Sequence, residues 1–237
     1  MFMDSDRYLL LLDADDTLWE SALFFERTEQ DFLSLMSAVG HSEEKVRSTV
    51  HRRDVERLSV TGYGARPYMD TLRTIMLELV PETPVWVPAA MDNIERNLLE
   101  HPVILLPGVT ETLVALDDFP LRKVVYTMGE RDHQEDKFRR SGLKDLVDEL
   151  RVVDVKSANS LTEILNSAGI PPERCIVAGN SPRSDINPTL SIGAHAVHLM
   201  RQRTWAAERE DFIDPGLVST IESFDELPGV ITGIMSG

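Results

Sequence analysis

Four short stretches of this chain carry side chains able to do chemistry together. Asp13, Asp15 and Asp16 stand in the run Asp13-Ala14-Asp15-Asp16-Thr17-Leu18, Thr127 and Lys156 each follow an apolar run, and Asn180 and Asp185 follow another. Clustered carboxylates repel one another unless a cation or a proton compensates them. A hard divalent ion such as magnesium, held by carboxylate and carbonyl oxygens, removes that cost. A carboxylate can also attack a phosphoryl group in line once the target's charge is neutralised, and a second carboxyl can move the proton that the leaving group needs. A hydroxyl at a strand end can donate to a phosphoryl oxygen. Each residue also has a plainer reading. An acidic loop that caps a helix and faces water would account for Asp16, though less comfortably for Asp13, which directly follows four leucines. A strand-ending threonine is ordinarily a local cap, and a lysine after a strand is ordinarily a solvated loop residue.

The elements that must position these residues show in the hydrophobic pattern. The apolar run YLLLL at 8–12 ends in acids, as suits a strand buried on both faces that leads into a polar loop. Similar runs recur at 122–127, 151–155, 174–179 and 194–200. Helix-like stretches lie between them, at 161–169 and around 185–192. Strands alternating with such helices imply parallel β-α-β units with helices on both sheet faces. Ligands of open α/β sheets gather outside the carboxyl ends of the strands, where the acids fall. Residues 20–99 read differently, as successive amphipathic helices over 24–40, 43–60, 67–80 and 92–100. The expected division is therefore a core of residues 1–18 and 105–237 with a helical insertion over 19–104. Pro107 and Gly108 should form the re-entry turn before a core helix at 109–116, and the crossings near 18–22 and 98–106 are hinge positions. The closing PGVITGIMSG is expected to form a last strand and a frayed tail.

The motif DADDTL resembles the first motif, DxDx(T/V)(L/V), of the haloacid dehalogenase superfamily, and the resemblance continues at three later points over nearly the full chain. It implies a three-layer, Rossmann-like α/β fold with a parallel sheet and a helical cap of the C1 class, inserted after the first motif. By resemblance, Asp13 is the nucleophile and Asp15 a general acid and base whose backbone carbonyl also coordinates magnesium. True haloacid dehalogenases lack an aspartate at the second position, whereas phosphatases and mutases have it. Thr127 matches the second motif, a phosphate-binding hydroxyl, and Lys156 the third, although K-S stands here where K-P is common. GNSPRSD resembles the fourth motif, GDSxxxD, so Asp185 is a metal ligand and Asn180 replaces the usual first acid. Asn180 keeps a carbonyl oxygen for the ion or its water but removes one negative charge. Ser181 would orient this loop or a ligand. The implied activity is magnesium-dependent hydrolysis of a small phosphorylated metabolite through an aspartyl phosphate. A phosphomutase, a phosphoprotein phosphatase and a catalytically silent binding module of the same fold are the alternatives.

The remaining features bound this reading. Lys and Arg number 24 against 40 Asp and Glu, a net charge of -16 that repels nucleic acid backbones and anionic lipid and so excludes them as main partners. A bound cation still lets a small anion enter a cleft. The single cysteine, Cys175, reads as a small buried hydrophobe rather than a nucleophile. With neither a signal peptide nor a membrane anchor evident at the start, a reducing compartment, the cytoplasm, is expected. His195 and His198 fall on opposite faces of a strand and do not form a metal pair. Arg52, Arg53 and Arg57 form a basic cluster, either solvated or able to recognise an acidic or extended phosphorylated substrate. Trp19 is either a ring for a substrate to stack on or a core or hinge aromatic. No sustained heptad appears, and a monomer or a homodimer fits.

Overall fold

In the computed structural model, which describes residues 7–203, 205 and 208–236, the five residues YLLLL form the central strand of a parallel sheet. In chain order the elements of the first unit are β1 (Tyr8–Leu12), α5 (Val109–Ala115), β2 (Leu121–Met128), α6 (Arg131–Ser141), β3 (Glu149–Val153), α7 (Ala158–Ala168), β4 (Cys175–Gly179), α8 (Asn187–Ser191), β5 (His195–Leu199), β6 (Val218–Ile221) and α9 (Leu227–Ser236). Between β1 and α5 come α1 (Ala22–Ala38), α2 (Glu43–Thr61), α3 (Ala65–Leu79) and α4 (Val87–Leu99), which make a second unit, Ser21–Pro102.

All six strands are parallel, in the order β3-β2-β1-β4-β5-β6. This is the doubly wound Rossmann-like arrangement, and β1 lies where the winding reverses. Side chains alternate across a strand. Leu10 and Leu12 therefore face one layer with Val125, Ile176, Val197, Leu113 and Ile231, while Leu9 and Leu11 face the other with Val124, Val177, Leu161 and Leu165. Continuous apolar runs rather than alternating ones follow directly, because both faces are covered. Cys175 belongs to the second cluster; burial pushes its thiol up to about 12, so it is an inert core residue. Among the described residues no helix is long and apolar enough to cross a membrane.

The helical unit has its own core, in which Phe32, Leu33, Met36, Met69, Leu72 and Met91 are fully buried. Arg52, Arg53 and Arg57 do not form an open basic patch. Arg52 pairs with Glu56 at 3.2 Å, Arg53 joins Glu78 on α3 at 2.9 Å, and Arg57 meets Asp54 at 2.9 Å. Carboxylates one turn away or on the facing helix thus neutralise the cluster, and an anion-recognition role finds no support. Where the first unit is interrupted, its two strands run side by side. Trp19 and Leu105 form an antiparallel bridge, the Glu20 amide donates to Ile104 at 2.9 Å, and the Leu106 amide donates to Leu18 at 2.9 Å.

Three elements depart from expectation. The closing segment is the helix α9, whose Leu227 and Ile231 pack into the sheet core, rather than a strand. Strand β6 and helix α6 both lay outside the sequence reading. The stretch around 185–192 is helical as expected, opening with a π-helical turn, Pro182–Ile186, before the short α8. Leu10 is fully buried in β1, so Leu10→Ala is expected to lower the unfolding free energy by about 2–5 kcal/mol, measured as a shift in urea midpoint at unchanged slope.

Candidate active site

The site is built from loops at the carboxyl ends of β1, β2, β3 and β4. Strand β1 pairs with β2 as far as Leu12 and Val125, and with β4 as far as Leu12 and Ala178. Asp13 is therefore the first residue past the paired strand, where its amide still donates to Ala178 at 2.9 Å. The loop then turns sharply. Asp16 takes a positive φ of 62°, a conformation that few residues other than glycine and Asx adopt. The Thr17, Leu18 and Trp19 amides all close back onto the Ala14 carbonyl. Among the described residues, no hydrogen bond is accepted by the Asp15 carbonyl, which leaves that oxygen available to a ligand.

Asp13 is 7 % exposed, and Thr17 donates to its Oδ2 at 2.7 Å. Lys156 Nζ donates to Asp13 Oδ1, and to Asp185 Oδ1 at 2.7 Å. The plain reading of Lys156 as a solvated loop residue therefore fails. It is buried, and its ammonium also lies 5.1 Å over the Tyr126 ring. A capping box between Ser157 and Ser160 starts α7 right after Lys156, and Ser160 is bonded in turn to the Tyr126 hydroxyl at 2.7 Å. Burial alone would lower the lysine, but the Asp13 and Asp185 carboxylates outweigh it and hold Lys156 well above its usual value.

Asp185 is 1 % exposed and takes a hydrogen bond from the Ser181 amide to Oδ2 at 2.9 Å. Burial and the Asp13 charge push its carboxyl up to about 7, against the opposing pull of Lys156 and Ser181. Gly179 is required by this approach, since a Cβ there would overlap the Asp185 carboxylate. Asn180 is buried beside it. Its Oδ1 lies 3.5 Å from the Thr17 hydroxyl, and His198 Nε2 lies 3.3 Å from its backbone oxygen. Ser181 orients the loop, as its Oγ accepts from the Ser184 amide at 2.9 Å. Thr127 is buried near the end of β2, paired in register with Val152, and makes no hydrogen bond with Asp13, Asp15, Lys156 or Asp185.

Asp15 shows most clearly what the sequence reading missed. Lys137 Nζ donates to its two oxygens at 2.6 and 2.8 Å, Gln134 Nε2 donates at 2.9 Å, and Trp19 Nε1 at 2.7 Å. Trp19 is fully buried, so its indole holds Asp15 and is not a stacking platform. Gln134 and Lys137 come from α6, a stretch so polar that it gave no apolar period. Their i, i+3 spacing just after Gly129 was the available signal, since it puts both on one helix face. Burial pushes the Asp15 carboxyl up, but the Lys137 charge and the hydrogen bonds from Lys137, Gln134 and Trp19 prevail and hold it below the usual carboxylate range.

With this geometry in place, similarity to known proteins decides the family. A haloacid dehalogenase-like hydrolase family profile matches residues 9–193, from the first leucine of β1 to the turn before β5. The chain is a haloacid dehalogenase-like hydrolase. It is similar in structure to a haloacid dehalogenase-like family hydrolase from Xanthomonas campestris, with a TM-score of 0.84 at 26% identity over 98% of this chain and 93% of that one. It is 24% identical over 231 residues to a glyceraldehyde 3-phosphate phosphatase from Methanothermobacter thermautotrophicus, covering 94% of this chain and 98% of that relative. An L-2-haloacid dehalogenase from Xanthobacter autotrophicus shares the fold, with a TM-score of 0.66 at 14% identity over 96% of this chain and 99% of that one.

Lys137→Met in the hydrolase should leave Asp15 partly buried without its cation, at a cost of about 2–3 kcal/mol at neutral pH. Because the folded value of Asp15 lies below the unfolded one, the pair's contribution is present above pH ~4 and lost as pH falls. The stability gap between wild type and Lys137→Met is therefore expected to narrow between pH 7 and pH 3 in urea denaturation. An equal gap at both pH values would contradict the assignment.

Proposed function

We propose that this hydrolase is a magnesium-dependent phosphomonoesterase that works through an aspartyl phosphate on Asp13 and acts on a small phosphorylated metabolite. The observation that carries the reading is the pair of differently placed carboxylates, Asp13 against Lys156 and Asp15 against Lys137. A dehalogenase has no use for the second of these, whereas phosphoryl transfer to and from a carboxylate needs a proton carrier. The curated phosphatase relative agrees with this choice.

The residues present fit a hard cation. Two buried carboxylates share one ammonium, burial and the Asp13 charge drive Asp185 toward protonation, and the Asp15 carbonyl accepts no hydrogen bond among the described residues. Asp13, the Asp15 carbonyl, Asp185 and Asn180 would hold the ion. When bound, magnesium supplies charge neutralisation for the phosphoryl oxygens. The chain's own groups do the rest. Asp13 attacks phosphorus, and the bond to the leaving oxygen breaks while Lys156 and Thr127 bind the transferring group. Asp15 gives the leaving oxygen its proton, then takes one from the water that opens the acyl phosphate. As placed here, with Lys137 against it, Asp15 is ionised and suited to the base step. The acid step requires a proton to reach it first. In this reading the unit Ser21–Pro102 is the C1-class cap and carries the substrate preference.

The test is phosphate release from a panel that begins with glyceraldehyde 3-phosphate and includes sugar phosphates, nucleoside monophosphates and a phosphopeptide, with 2-chloropropionate as a halide-release control. Turnover should disappear with EDTA and with Asp13→Asn, and Asp15→Asn should lower kcat by about 10²–10⁴-fold. Halide release without phosphate release would overturn the reading, and a folded, magnesium-loaded protein silent on all of them would point to a binding module. A phosphorylated product from a bisphosphate activator would point to a mutase.

Asp185 adds a pH signature. Its folded value of about 7 lies above the unfolded value of ~3.9. At Asp185 the cation-free protein therefore holds a proton that the unfolded chain lacks between those values, and the contribution of this group to stability is lost as pH rises through about 7. Magnesium binding should release a proton at pH 6 but not at pH 8.5, and should tighten in between. Calorimetric titration in buffers of different ionisation enthalpy reads this directly, and equal proton release at both pH values would contradict it.

A further inference from the structure

Glu208 lies beyond every motif that marked the site, yet it is 8 % exposed and bonded to the loop between Asn180 and Asp185. Its Oε2 accepts from the Ser181 hydroxyl at 2.5 Å and from the Ser184 hydroxyl. Ser181 in turn aims its amide at Asp185 Oδ2. The other carboxylate oxygen, Oε1, is buried with no hydrogen-bond partner among the described residues. A buried carboxylate oxygen left unpartnered is costly, and native proteins keep few.

The segment that carries Glu208 is built onto this loop and its following helix at several points. Asn187 Nδ2 donates to Glu210 at 3.2 Å and to the Asp211 carbonyl at 2.9 Å, and the Ile213 amide donates to Asn187 Oδ1 at 3.0 Å. Phe212 packs edge-on against His198 at 5.2 Å, the histidine that reaches the Asn180 backbone. The loop itself has Asn180 in place of an acid and so is one negative charge short of the family's motif.

We propose that Glu208 is a positioning residue of the cation site, which restores the negative charge that Asn180 withholds and offers Oε1 to a water retained by the ion. The assignment rests on the magnesium reading above and extends it to a residue outside the four motifs. Magnesium dehydrates reluctantly and keeps several waters, so an outer carboxylate acts on it without direct ligation. Outer partners of this kind change metal affinity by about 10–100-fold when removed.

Glu208→Gln keeps an oxygen that can accept from Ser181 and Ser184 but removes the charge. Calorimetric titration of the full chain with magnesium chloride alone, without substrate, should show a Kd weaker by about tenfold or more, and the rise in Tm on adding magnesium should shrink in parallel. In an Asn180→Asp background, which returns a charge to the loop, the same substitution should cost less. If Glu208→Gln does not fold, Glu208→Asp, which keeps the charge but withdraws it by one methylene, takes its place and should also weaken Kd. Unchanged Kd and Tm rise in a folded Glu208→Gln would overturn the proposal, as would a loss seen only in Glu208→Ala, which would make Glu208 a loop clamp. A wild-type chain that binds no magnesium would instead overturn the magnesium reading itself.

Discussion

The Lys156 ammonium holds together two carboxylates that would otherwise drive each other apart inside the protein. Asp13 and Asp185 arrive from different strands, and each is buried to a degree at which an uncompensated charge is not tolerated. One positive charge against two negative ones lets the fold close, while burial and the Asp13 charge together raise the Asp185 carboxyl. Because the strands run parallel, the three loops that supply aspartate, lysine and aspartate leave the sheet at one end, with β1 lying between β2 and β4 and β3 beyond β2.

The second carboxylate obeys different physics. Asp15 is two residues from Asp13, but the turn at Asp16 and the closure of three amides onto Ala14 send it to a separate set of partners. It meets an ammonium, an indole and an amide, all donors, so its ionised form is favoured in spite of burial. Two acids in one short loop thus meet different electrostatic surroundings.

The strands and the acids were legible because each depends on local pattern. A run of leucines ended by aspartates marks a buried strand and the loop at its end, and Lys156 and Asp185 follow further runs of the same kind. What could not be read was set by contacts across the chain. Lys137 and Gln134 lie on a helix whose exposed, charged face carries no apolar period, and their target is more than a hundred residues away. Glu208 meets Ser181 and Ser184 from 27 and 24 residues further along the chain, with no apolar period in the sequence to announce it. The helix α9 reads as a strand in the sequence because PGVITGIMSG is rich in β-branched and small residues, and tertiary packing of Leu227 and Ile231 overrides that propensity.

The antiparallel ribbon at Trp19 and Leu105 bears on the chain's history as well as its architecture. The core leaves and resumes its own course across a single backbone bridge, so residues 21–102 occupy what is, for the sheet, one loop. Loop-closure entropy grows only with the logarithm of length, and an excursion that folds on its own core, as this one does, adds less still to that burden. Insertions of very different size can therefore be exchanged at this junction while the sheet and the loops that carry Asp13, Lys156 and Asp185 stay the same. The length of the excursion is thus set apart from the register of the strands on either side of it.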